Sequence, residues 1–124
     1  MPHFEVFEGE AFNIPFELQY DRFWSEVSKR GQPVKQSEVT TTFFFVKEKD
    51  SDANAFMTLT DATTAEIEWT TPNEGKLTVK LDTSTEGKVG KKRPYELRIK
   101  LVDGTFTTVD SGTLDILEST VDTP

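Results

Sequence analysis

The chain predicts an all-β antiparallel sandwich of about seven or eight short strands, and three observations carry that expectation. Apolar residues recur with a period of two rather than 3.6. Turn residues interrupt the alternating runs at short intervals. No amphipathic stretch is long enough to be the crossover helix that a parallel α/β sheet requires. The 124 residues read as one domain, 1–124, with an ordered core over 4–117.

A first short strand is expected at Phe4, Val6 and Phe7, ending near Gly9. Phe12, Ile14, Phe16, Leu18 and Tyr20 then alternate with Asn13, Pro15, Glu17 and Gln19, the pattern of a half-buried strand. Pro15 donates no backbone hydrogen bond, which predicts a sheet edge or a bulge. Residues 21–33 break the alternation; Phe23, Trp24 and Val27 suit one helical turn, closed by Gly31 and Pro33. Residues 39–47, rich in Thr and Phe, read as a long central strand or one buried on both faces, because apolar residues take both parities from Phe43 to Val46. After a polar turn, a short strand is expected at 56–59.

Ala65, Ile67 and Trp69 alternate with Glu66 and Glu68, so Trp69 is expected in the core and the glutamates on the solvent face. Pro72, Asn73, Glu74 and Gly75 read as a turn. Leu77, Val79 and Leu81 form the next inward row, and 82–92 is a polar connection. The clearest pattern lies in 93–116. Tyr95, Leu97, Ile99 and Leu101 point inward, Glu96, Arg98 and Lys100 outward, and Asp103-Gly104 is expected as a tight hairpin turn. Residues 119–124 are expected to fray. Tyr95 opens its strand after a polar connection, where immunoglobulin-like sandwiches place a tyrosine that bonds back to upstream backbone. The same bond is expected here.

Fourteen basic and 22 acidic residues give a net charge of −8, which argues against nucleic acid or an anionic membrane as the main partner. Cysteine is absent, so disulfides, thiolate zinc sites and a cysteine nucleophile are excluded. Apolar content is only 35%, and the ten Phe residues compensate, each able to bury about 150–250 Å². The opening MPHFEVFEGE lacks the basic and apolar regions of a signal peptide, and no run approaches the ~20 apolar residues of a membrane span.

The sequence holds no recognisable catalytic set, cofactor motif or metal-ligand set. His3 is the only histidine and is expected to be a solvated terminal residue, which excludes a histidine triad or a multi-histidine site. Asp50, Asp52, Asn54 and Asp61 resemble a calcium loop, but Ala55 stands where that loop needs Gly and Asp61 where it needs Glu. Glu66 and Glu68 are carboxylates on a solvent face. Two stretches remain as contact candidates. Phe23 and Trp24 lie in the non-periodic insertion, as a plug of the sandwich end or as an exposed contact. Lys91, Lys92 and Arg93, with Lys88, form the one basic cluster, as a solvated loop or a contact for an acidic partner.

Several segments together resemble the small immunoglobulin-like structural domains of tailed bacteriophages, including the N-terminal domain of upper baseplate proteins. Gly9-Glu10-Ala11-Phe12-Asn13-Ile14 is similar to their entry into the second strand. Gly31-Gln32-Pro33-Val34 is similar to the step before a central strand. The strand from Gly75 to Leu81, the run from Tyr95 to Gly104, and Gly112 to Ile116 complete the likeness. The resemblance implies an immunoglobulin-like sandwich and a non-enzymatic virion component, tail- or baseplate-associated and made in the bacterial cytoplasm. Its partners would be other phage structural proteins or further copies of itself, with no cofactor, nucleic acid or membrane. A carbohydrate-binding or host-attachment module using Trp24 is the alternative.

Overall fold

The computed structural model describes residues 3–49, 55, 57–81, 85 and 88–118. Among the described residues, eight strands form two sheets: β1 (His3–Phe7), β2 (Asn13–Glu17), β3 (Val39–Val46), β4 (Met57–Thr60), β5 (Ile67–Thr71), β6 (Lys76–Lys80), β7 (Gly90–Leu101) and β8 (Phe106–Leu117). One sheet has the order β1-β8-β7-β3-β4 and the other β2-β6-β5. The pairs β3–β4, β5–β6 and β7–β8 stay within a sheet, and every other connection crosses between sheets. That is the Greek-key connectivity of an immunoglobulin-like sandwich, with β1 laid against the last strand. This β1–β8 pair is parallel, whereas all the other described pairs are antiparallel.

The period-two pattern fixes which side chains fill the space between the sheets. Ile14, Phe16, Leu77, Val79, Ile67 and Trp69 face inward from one sheet, and Phe44, Val46, Tyr95, Leu97, Ile99, Leu114 and Ile116 from the other. Each such side chain stabilises the fold by roughly 1.5–3 kcal/mol before entropy is charged. Aromatic rings join the layers at the centre: Phe16 of β2 lies 6.3 Å from Phe44 and 6.2 Å from Tyr95. Gly112 stands directly opposite Tyr95 across the β7–β8 ladder.

Local expectations hold with instructive differences. Pro15 sits on an edge strand, where its missing donor costs no ladder bond. The alternation of β2 continues through buried Leu18 and Tyr20, although ladder pairing stops at Glu17. Phe43 and Phe45 are not covered by a second layer; they stack on each other, 5.5 Å apart, on the outer face. The last hairpin turns through three residues rather than two. Gly104 N–H donates to the Leu101 carbonyl and Leu101 N–H to Thr105, with Gly104 at φ +92°. That is a four-residue turn followed by a glycine bulge. β7 begins at Gly90, so Lys91, Lys92 and Arg93 lie in a bulged strand start and not in a loop. The Tyr95 hydroxyl is buried and bonds to no atom of the described residues, so no tyrosine corner forms among them. The expected tail at 119–124 and the Asp50, Asp52 and Asn54 positions lie outside the described residues.

Candidate functional site

Residues 21–33 form a closed loop whose two ends are tied by backbone hydrogen bonds. Tyr20 N–H donates to Gln32 at 3.0 Å and Gly31 N–H to Tyr20 at 2.9 Å. Gly31 reaches φ +75° to make that closure. Inside the loop, Phe23 N–H donates to Asp21 Oδ1 at 2.7 Å, and Arg30 Nε donates to the Trp24 carbonyl at 2.7 Å. One 3₁₀ turn, Val27–Lys29, takes the place of the expected helical turn. The loop is long for its position but anchored at several points.

This loop faces the tip of the β7–β8 hairpin. Val102 N–H donates to the Glu38 carbonyl at 3.1 Å, which ties the tip to the 3₁₀ turn Gln36–Glu38. Between loop and tip lies an open cleft of about 620 Å³ lined by Tyr20, Asp21, Phe23, Trp24, Glu26, Lys29, Glu38, Leu101, Val102 and Asp103. A narrower hollow of about 140 Å³ continues below Trp24 toward Val34, Ile99 and Val109.

The two sequence-derived aromatics play different parts. Trp24 is half-buried, its ring 5.0 Å from Tyr20. Phe23 is 75% exposed at the rim, with the Arg22 guanidinium 4.8 Å over its ring. Val102 at 70% and Val27 at 69% are similarly exposed on the hairpin tip and the loop.

The cleft is electrostatically one-sided. Among the described residues, Asp21, Glu26, Glu38 and Asp103 face it against a single ammonium, Lys29. Lys29 Nζ lies 3.2 Å from Glu38 and 3.6 Å from Glu26, and 5.4 Å over the Tyr20 ring. Burial acts to raise the Glu38 pKa, but the Lys35 amide and Lys29 outweigh it and hold the carboxyl below its ordinary value. The Thr105 amide holds Asp103 low as well. Tyr20 is buried beside Glu38 without a well-formed hydrogen bond. Burial first, then the Glu38 charge, push its pKa up to about 12.

The basic cluster lies elsewhere. Arg93 and Leu101 are separated by eight steps of β7, about 26 Å at ~3.3 Å per residue. Arg93 turns back on its own segment, with Nη2 donating to Val89 at 2.6 Å and Nε to Lys88 at 3.2 Å. Lys91 and Lys92 are exposed. The structure therefore does not unite Phe23 and Trp24 with Lys91, Lys92 and Arg93.

Other expectations resolve as structural roles. Trp69 is in the core and donates from Nε1 to Asp61 at 3.3 Å. Glu68 pairs with Lys80 at 3.1 Å, and Glu66 accepts from the Thr60 amide at 3.3 Å. His3 is not a free terminal residue. It belongs to β1, its Nδ1 meets Thr113 Oγ1, and its Nε2 lies 3.3 Å from Asp115 Oδ2.

The roles of Tyr20, Lys29, Glu38, Val102 and Asp103 in the cleft were not legible beforehand, because they come from four separate chain segments. The exposed Val102 beside Asp103-Gly104 was the one available signal, an apolar residue in a turn. Compared with known proteins, the chain matches no family model, and no curated protein matches it.

Proposed function

We propose that the chain is a non-enzymatic structural protein of a tailed bacteriophage or prophage, tail- or baseplate-associated, that assembles through the hairpin-end cleft. The phage assignment rests on the resemblance of segments between Phe4 and Leu117. The observation that carries the contact site is the exposure of Phe23 and Val102, both more than two-thirds exposed and lining the same cleft, with exposed Val27 on the loop that carries Phe23. Apolar side chains left open around a polar cleft are the usual mark of a protein contact.

The chemistry of the cleft selects the kind of partner. Four carboxylates against one lysine, over the faces of Tyr20 and Trp24, suit a basic side chain flanked by apolar surface. A net charge of −8 keeps unassembled chains apart until such a surface is met.

The test is binding of the purified chain to tail and baseplate proteins encoded beside it, measured by surface plasmon resonance at two salt concentrations. Phe23→Ala and Val102→Ser are expected to weaken binding by about tenfold or more, whereas Lys91→Ala leaves it unchanged. No binding to any such protein, or equal binding by all variants, overturns the proposal. The sugar-binding alternative is weakened by Trp24, whose ring is packed on Tyr20 and not presented flat. Trp24-dependent signal on a glycan array would restore it.

A further inference from the structure

We propose that His3, Glu5 and Asp115 form a binding site for a divalent transition-metal ion of the zinc class, at the seam between the first and last strands. The parallel register sets His3 beside Thr113 and Glu5 directly opposite Asp115, all four on the outer face of the five-stranded sheet. One ligand atom from each of His3, Glu5 and Asp115 lies within 4.8 Å of the others. His3 Nε2 and Asp115 Oδ2 are 3.3 Å apart. Two donors each ~2.0–2.1 Å from a tetrahedral ion stand about 3.3–3.4 Å apart. Glu5 is exposed, with a carboxylate oxygen within 4.8 Å of the other two ligand atoms.

Two of the three ligands are held from outside the set. Thr113 Oγ1 bonds His3 Nδ1 and leaves Nε2 as the donor toward the ion. The Lys92 amide donates to Asp115 Oδ1 at 2.7 Å and leaves Oδ2 for the metal. Such hydrogen bonds fix ring orientation and carboxylate direction at metal centres. The pairing also places two carboxylates directly opposite each other, which is unfavourable in a ladder unless a cation offsets them. His3 stands beside this pair, and Lys91 acts on Asp115 from farther away.

The donor set selects the ion. An imidazole with two carboxylates and no thiolate suits Zn²⁺, Co²⁺, Ni²⁺ or Cu²⁺ and disfavours Mg²⁺ and Ca²⁺, which prefer oxygen alone. Three protein ligands leave a coordination position for water or a donor from a neighbouring molecule. Such an ion fastens β1 to β8. This proposal is independent of the hairpin-end contact and stands or falls without it.

The test is calorimetric titration of the full chain with ZnCl₂ in chelator-free buffer near neutral pH, paired with Co²⁺ visible absorption. One ion per chain is expected, with a rise in melting temperature as Zn²⁺ increases. His3→Ala and Glu5→Gln, both at exposed positions, should weaken binding at least tenfold while keeping the wild-type circular dichroism. Absence of binding, or binding that survives His3→Ala unchanged, overturns the site. Mg²⁺ binding of equal strength would overturn the assigned ion class.

Discussion

Lys92 donates its backbone N–H to Asp115 Oδ1 at 2.7 Å from a left-handed conformation, φ 54°. Among the described residues it is the one non-glycine residue with positive φ. The bulge at the start of β7 imposes that backbone, and the Asp115 carboxylate rewards it. Burial acts against the Asp115 charge, but the Lys92 amide leads the groups that hold its pKa below the ordinary value. Lys92→Gly keeps the amide donor and removes the steric cost of the left-handed turn. It should therefore stabilise the protein by about 1 kcal/mol, read as a higher urea midpoint at unchanged slope. A lower midpoint would show that the Lys92 side chain contributes more than its backbone strain costs.

Phe44 and Phe45 are neighbours in sequence with opposite fates. Phe44 is fully buried, stacked 5.3 Å from Tyr95, while Phe45 stacks on Phe43 at the surface. Phe44→Ala should cost about 3–5 kcal/mol through transfer and cavity formation. Phe45→Ala should cost only ~1 kcal/mol, the scale of one aromatic pair. Chemical denaturation of the two variants separates them, and equal losses would contradict the assigned faces.

The inward rows of the sandwich were legible because a strand sorts its side chains by parity, as Leu97, Ile99 and Leu101 show. Pro15 at an edge followed from its missing donor. Other features depend on partners far along the chain. His3 looks like a terminal residue until strand pairing sets it beside Thr113 and Asp115. Arg93 looks like part of a basic patch until its guanidinium finds the Val89 carbonyl. Phe43 and Phe45 suggested a covered strand, yet their rings cover each other, and Phe43 reaches Phe106 across β7. The cleft was half legible: Phe23 and Trp24 stood out as aromatics without a period, but the facing hairpin tip did not.

Both tyrosines are held protonated by the fold. Burial, followed by a nearby carboxylate, raises Tyr20 to about 12 and raises Tyr95 as well. A raised folded-state value means this stabilisation is complete below the unfolded tyrosine value of ~10 and is lost as pH climbs toward the folded value. Alkaline difference absorbance should thus show no ordinary transition near pH 10. Tyrosinate should appear together with loss of circular dichroism, and a reversible transition near 10 in the folded protein would refute the burial of both rings.

Gly75 and Gly104 both have positive φ, +70° and +92°, but differ in surroundings. A Cβ at Gly75 would collide with the Leu18 carbonyl and stand 3.0 Å from the Val34 carbonyl, whereas one at Gly104 meets nothing within 4 Å. Gly104→Ala should therefore cost about 1–2 kcal/mol from backbone strain alone. Gly75→Ala should cost distinctly more and loosen the base of the 21–33 loop, where Leu18 bonds both Gly75 and Val34. Melting temperatures rank the two, and proteolysis within the loop reports the second effect.

His3 and Thr113 are 110 positions apart in the chain yet touch across one ladder. During synthesis β1 therefore lacks its β8 partner until the intervening chain has been made. Until then its edge is unpaired, and acidic residues in and just after it, Glu5, Glu8 and Glu10, are of the charged kind that disfavours edge-to-edge pairing. Closure of this sheet is a late, long-range event, which places the domain among slow folders on the millisecond-to-second scale.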